Sequence, residues 1–214
     1  MPRRLIINIR GPNGAGKTTL ARAFLAHQEK QEPPLRYVST GGHKGGPVKE
    51  KDWPVSRCRV PGLELPVYVM GRYDVQQGGC DTDKDMDAIE RVMHVASETF
   101  RDGHILFEGF VVSKSGGRWI EFAFTHQRAN LGLFVWAFVR PSLKDLVARI
   151  HGRNGGKPIK EELLKGTMRT VDLIRDRVKQ SFPKGQIIDL DPALPSEGAF
   201  SKLVEHLAAL ETNP

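Results

Sequence analysis

Residues 11–18 read GPNGAGKT and fit the spacing G-x-x-x-x-G-K-[ST]. In such a run the glycines let consecutive backbone N–H groups turn inward around an anion. The lysine then offers a point charge to the outer phosphates, and the hydroxyl after it offers an oxygen to Mg2+. Gly11, Pro12, Asn13, Gly14, Ala15, Gly16, Lys17, Thr18 and Thr19 are therefore expected to hold the phosphates of ATP, with Thr18 beside Mg2+ and Lys17 serving the transferred group. The competing reading is a plain glycine-rich turn, and the flanks weaken it. Residues 5–9, Leu-Ile-Ile-Asn-Ile, have buried-strand length, and Leu20, Ala21, Phe24 and Leu25 fall at helix spacing. Strand, loop and helix in that order aim the positive end of a helix dipole at the anion.

A metal-bound triphosphate needs a carboxylate near the cation. Glu108, which closes the apolar run Ile105-Leu106-Phe107, is the candidate, against the alternative of a carboxylate that caps a turn. Phosphoryl transfer to a hydroxyl also needs a group that orients or deprotonates the acceptor. Asp74 ends a strand candidate and opens a polar loop, where ligands gather in an open α/β sheet, although an aspartate there also stabilises turns. Arg72 and Tyr73 beside it, and Gln76, Gln77 and Asp81 beyond it, are assigned to the acceptor. His43 and Lys44, inside a glycine-rich loop, are assigned to a substrate phosphate. Arg149 and Arg153 lie four apart, on one face of a helix, with Gly155-Gly156 as a hinge and Lys157 beyond. The pair is expected to close over the phosphates and neutralise charge that builds during transfer, with ordinary surface arginines as the alternative. The other histidines show no ligand spacing.

The elements that position these residues alternate. Strands are expected at 5–9, 36–40, 66–70, 104–109, 133–139 and 186–190, and helices from Thr19 and over 83–101, 119–130, 143–153, 160–181 and 197–210. Asp81, Asp83 and Asp85 crowd the start of the helix over 83–101, and Ser142 with Asp145 forms a capping pair for the one that follows. The alternation argues a doubly wound α/β fold, a parallel sheet with helices on both faces. A single domain over 1–214, with a small arginine-bearing lid at about 149–160, accounts for the length.

Composition is that of an ordinary globular chain, 39% hydrophobic and 27% charged. No apolar run reaches membrane-spanning length, and two cysteines without a C-x-x-C spacing point to neither zinc nor a disulfide framework. The net charge of +7 is uneven: residues 140–184 hold 12 Lys/Arg and 5 Asp/Glu, and the remainder balances. Such a segment is either a solvated helix face or a surface that handles nucleotide or nucleic-acid phosphates.

GPNGAGKT after a strand, ILFEG on a later strand and RPSLKDLVARIHGRN together resemble the P-loop (Walker A) kinases of small hydroxyl acceptors, over most of the chain. The stretches GRYDVQQGGCDTDKD and GGHKGG more closely resemble the bacteriophage 5-hydroxymethyluracil (5-hmdU) DNA kinases. That resemblance implies ATP-dependent conversion of the base's hydroxymethyl group to a phosphomethyl group, an intermediate in thymidine hypermodification. It also implies DNA containing 5-hydroxymethyluracil as partner, the cytoplasm of an infected bacterium as the place of action, and neither a membrane nor an obligate protein partner. Tyr73, Trp53 and Trp119 are then candidates to stack on an extruded base, with core packing as the alternative. A kinase of a free nucleotide or small metabolite, and a nucleotide-dependent module that transfers nothing, remain open beside it. Transporter-type ATPases share GPNGAGKTTL, but end a later strand in paired acids where this chain has Phe138-Val139-Arg140-Pro141.

Overall fold

β1 (Leu5–Arg10) is buried at every residue, as its near-continuous apolar run requires of a strand covered on both faces. A computed structural model of the chain describes residues 2–39, 48–75, 78–82, 85–191 and 196–212. β1 pairs in parallel with β5 (His104–Glu108) on one side and β6 (Leu133–Val139) on the other. β4 (Val67–Met70) extends the block beside β5, and β7 (Ile187–Leu190) beside β6, again in parallel. The carboxyl end of β1 therefore opens between two parallel neighbours, the place where such sheets bind ligands.

Beyond β4 the sheet departs from the expected parallel pattern. β2 (Gln28–Ser39) and β3 (Lys49–Cys58) form an antiparallel hairpin that completes the order β2-β3-β4-β5-β1-β6-β7. The strand expected at 36–40 is only the far end of β2, and β3 was not expected at all. Pro33-Pro34 falls at a register shift between Glu32 and Leu35, on the outermost strand, where missing N–H groups cost no ladder bond. The last β3–β4 pair is Val55↔Met70, whereas β2 and β3 stay paired from Leu35↔Trp53 to Ser39↔Lys49. The hairpin thus projects as an arm past the end of β4.

Alternation along β1 separates two cores. Ile6 joins a cluster under α2 (Met86–Thr99), α4 (Gly116–Arg128) and α6 (Glu161–Ser181), while Leu5, Ile7 and Ile9 join a cluster under α1 (Lys17–Leu25) and α7 (Ser196–Thr212). The helices start where capping chemistry allows. The Asp85 carboxylate accepts from Asp87 and Ala88 N–H at α2, and the Ser142 hydroxyl accepts from Asp145 N–H at α5 (Leu143–Arg153). Asp83 lies outside the described residues. Trp53 and Trp119 are 2% and 0% exposed and belong to the first core, Trp119 packed between Phe107 and Phe122. Neither is available to stack on a base; their indoles fill core volume that no smaller side chain nearby supplies.

α7 is tied to the sheet by a buried pair. His104 Nε2 lies 3.0 Å from Glu211 Oε1, and Nδ1 accepts from Leu5 N–H, which leaves the ring proton on Nε2. Glu211 also accepts from Glu64 and Leu65 N–H. Burial holds His104 below its ordinary pKa despite the carboxylate. This group's contribution to stability is complete above its unfolded value and is lost as pH falls toward the folded one. The melting temperature is expected to fall as pH drops below about 6.5, and His104→Gln to flatten that dependence. An unchanged slope in the variant would remove His104 from this role.

Candidate active site

The loop over 11–18 joins β1 to α1 and is wedged against β6 and α5. A Cβ at Gly11 would stand 2.7 Å from the Val139 carbonyl oxygen, and one at Gly14 2.8 Å from Ile150 Cγ1. Gly16 caps α1 in the left-handed region, φ 104, which brings the loop back on itself at little steric cost. α1 begins at Lys17, so the N–H groups of Lys17, Thr18 and Thr19 have no intrahelical carbonyl to bond. Lys17 is 5% exposed, and its Nζ donates to the Gly11 and Pro12 carbonyls at 3.1 Å each, across the loop. Burial lowers its pKa, Glu108 and Asp81 raise it, and Arg153 and Arg10 lower it further.

Thr18 Oγ1 donates to Glu108 Oε1 at 3.1 Å, which joins the loop to the end of β5. Glu108 is fully buried, and its Oε2 has no hydrogen-bond partner among the described residues. Burial raises this carboxyl to about 7, with Lys17 pulling it down and Asp81 pushing it up. An orphaned carboxylate oxygen beside a threonine hydroxyl is a hard-oxygen donor set of the kind Mg2+ takes. No group of three or more His, Cys, Asp or Glu able to hold a metal occurs among the described residues. A cation here would complete its shell with phosphate oxygens and water, as Mg2+ does in phosphoryl-transfer sites. The donor set therefore fits.

Two residues with no sequence signal hold the site's floor. Arg10, fully buried at the end of β1, donates to the Val112 carbonyl at 2.6 Å and lies 5.3 Å from the Trp136 ring centre. Burial lowers it to about 9. Ser113, on α3 (Phe110–Lys114), accepts from Gly11 N–H at 3.2 Å and donates to the Gly109 carbonyl at 2.7 Å. The segment after Glu108 is thereby clamped to the start of the phosphate loop. Neither Arg10 nor Ser113 belongs to a motif or spacing that marks it in the sequence.

The other expected residues distribute as follows. Arg149 Nη1 donates to the Ala15 carbonyl at 3.1 Å, and Arg153, exposed in the last turn of α5, is close enough to lower Lys17's pKa. Asp81 accepts from Val111 N–H at 3.1 Å and acts electrostatically on both Lys17 and Glu108. Asp74 is exposed and held in a two-point ion pair by Arg72, at 3.1 and 2.6 Å, which lowers its pKa. Arg22, one turn beyond Thr18, donates to the Tyr73 and Val75 carbonyls. A Cβ at Gly78 would stand 3.3 Å from the Thr18 methyl, so the loop that carries Asp74 folds beside the phosphate loop. Tyr73 is half-buried against the α1-side core. His43, Lys44, Gln76 and Gln77 lie outside the described residues.

A phosphate loop on the middle strand of the parallel block β4-β5-β1-β6-β7, with Thr18 bonded to a strand-end carboxylate, defines a phosphotransferase of the P-loop kinase class. The chain belongs to the 5-hmdU DNA kinase family, whose model matches residues 50–191. The 5-hmdU DNA kinase of Pseudomonas phage M6 is 32% identical over 171 residues, covering 80% of this chain and 83% of that protein. The 5-hmdU DNA kinase of Pseudomonas phage PaMx11 is 32% identical over 120 residues, 55% of each chain. Among solved structures the chain is similar to a gluconokinase from Sinorhizobium meliloti 1021, with 15% identity, a TM-score of 0.49, and coverage of 99% of this chain and 95% of that one. No described helix is long and apolar enough to cross a membrane.

Proposed function

We propose that the protein transfers the γ-phosphate of ATP to the hydroxymethyl group of 5-hydroxymethyluracil in DNA. The observation that carries this reading is the meeting of three parts: the phosphate loop, the Thr18–Glu108 pair, and the Asp74 loop folded against Thr18. The names of the two phage relatives supply the acceptor. Gly11 and Ala15 N–H are bonded within the protein and Pro12 has none, so the remaining amides of residues 11–18 and the Lys17 ammonium would hold the triphosphate, and Thr18 with Glu108 would hold Mg2+, whose charge would offset that of the phosphate oxygens. Arg149 and Arg153, on a lid over about 149–160 of one domain, neutralise charge on the transferring group.

Arg72 holds the Asp74 carboxylate in a fixed orientation through two hydrogen bonds, and that carboxylate accepts the proton of the acceptor hydroxyl. The hydroxymethyl oxygen bonds to the γ-phosphorus, the bond to the β-phosphate oxygen breaks, and ADP leaves with that oxygen. The basic surplus over residues 140–184 suits a DNA backbone, and host cytoplasm is the setting a phage enzyme of this kind requires.

The test is ATP labelled at the γ-phosphate, offered with 5-hydroxymethyluracil DNA, unmodified DNA and free nucleosides. Label in the modified DNA alone is expected. Label in free nucleosides alone would replace the acceptor, and no label anywhere would reject transfer. In the same assay Asp74→Asn is expected to lower kcat by about 10^2-fold or more with ATP binding little changed. A rate near that of the parent would move the acceptor-orienting role to another residue.

A further inference from the structure

A groove of about 770 Å3 runs between α1 and the β2–β3 hairpin. It lies within the span of about 300–1,000 Å3 typical of clefts that hold a small organic ligand. Its lining extends from Asp74, after the carboxyl end of β4, to Gln28, at the start of β2. Arg22 fixes its upper rim to the loop beside Thr18.

The groove's charge sets what can enter. Glu32, Asp52 and Asp74 line it with Arg22 and Arg72, and Lys30, Arg36 and Arg72 pair those three acids, so the walls carry no surplus of positive charge in a chain of net charge +7. Walls whose charges are already paired give a phosphate little hold, whereas an uncharged heterocycle needs none. The walls also suit a flat ring. Pro34 and Pro54 contribute apolar faces and Tyr73 an aromatic one. The polar groups among them are neutral and held in place. Gln31 Nε2 donates to the Val55 carbonyl at 2.8 Å, and its Oε1 accepts from Ser56 Oγ at 3.0 Å and from Gln28 Nε2 at 3.4 Å. An amide nitrogen carries two hydrogens, so Gln31 keeps one N–H for a ligand beside the Gln28 carboxamide.

We propose that this groove receives the acceptor base, extruded from the helix, and that Gln31 reads its pairing edge. The inference rests on the DNA-kinase reading above and adds the site and the reader. A uracil edge offers carbonyl oxygens beside N3–H, the complement of adjacent carboxamide donor and acceptor groups. The strand's phosphates stay at the rim, at Arg22 and Arg72, while the neutral base passes inside. The cost of extrusion, a few kcal/mol, is the ordinary one for enzymes that modify a base in a duplex.

Gln31 is exposed, so its replacement leaves the core intact. Gln31→Leu is expected to raise KM for 5-hydroxymethyluracil DNA about five- to tenfold, the scale of one lost hydrogen bond to the base. KM for ATP is expected to hold. The variant is also expected to lose preference for 5-hydroxymethyluracil over 5-hydroxymethylcytosine in the same duplex. Gln31→Glu is expected to shift preference toward the cytosine, whose amino group a carboxylate accepts. If the parent labels the DNA but both variants keep its KM and preference, the groove assignment falls and the functional reading stands. A loss that strikes ATP and both acceptors alike also counts against the groove. If the parent labels no DNA, the functional reading falls and takes the groove with it.

Discussion

Lys17→Ala is expected to lower phosphoryl transfer by about 10^2–10^3-fold, the usual scale for removing one preorganised charge from a transition state. Lys17 is the one lysine enclosed by the phosphate loop, with its ammonium bonded to two carbonyls of that loop. Its charge is already desolvated, so it acts at close range and needs no reorganisation when charge builds on the transferring group. Removing it leaves the Gly11 and Pro12 carbonyls without that donor, at a cost of about 1–3 kcal/mol. It also removes a buried cation that desolvation disfavours, which offsets part of that cost. The melting temperature is therefore expected to move little while transfer collapses. Measuring both on one preparation separates the role from the fold, and a variant that turns over at the parental rate would strip Lys17 of it.

Glu108→Gln is expected to lower transfer by a similar factor and to change how stability depends on pH. Burial raises the Glu108 carboxyl from 4.5 to about 7. A raised carboxyl favours the protonated form in the folded state. Its contribution is complete below the unfolded value and is lost as pH rises through the folded one. A shift of that size corresponds to about 3 kcal/mol. The chain without nucleotide is expected to melt lower at pH 8 than at pH 6, and Glu108→Gln, which has no such proton to lose, to flatten that interval. Mg·ATP acts in the opposite sense, because a cation favours the ionised form, so binding is expected to strengthen as pH rises toward and past 7. Parallel melting curves for the two proteins would show that the titration belongs to another group.

How much of this was legible depended on burial. β1, β5 and β6 are covered on both faces, and such strands must be apolar throughout, so they stand out in one sequence. α5 was legible from its cap, because Ser142 and Asp145 carry their own geometry. β3 was not. Its residues read KEKDWPVSRC, with most side chains exposed or half-buried, and only Trp53, Val55, Ser56 and Cys58 are buried. Charge and a proline conceal a strand there because nothing on its outer side demands apolar residues. The phosphate loop was legible because its chemistry is backbone chemistry with fixed spacing. Arg10 was not, since the Val112 carbonyl and the Trp136 ring that accommodate it come from distant parts of the chain.

The outermost strand carries one further consequence. β2 is 12 residues long, and a flat free edge of that length is a template on which other chains can add strands. Pro33-Pro34 offers no N–H groups and breaks the register, while Glu29, Lys30 and Glu32 put charge along the same edge. The two prolines therefore also disfavour edge-to-edge stacking of the protein with itself, and replacing them with valines is expected to raise that tendency.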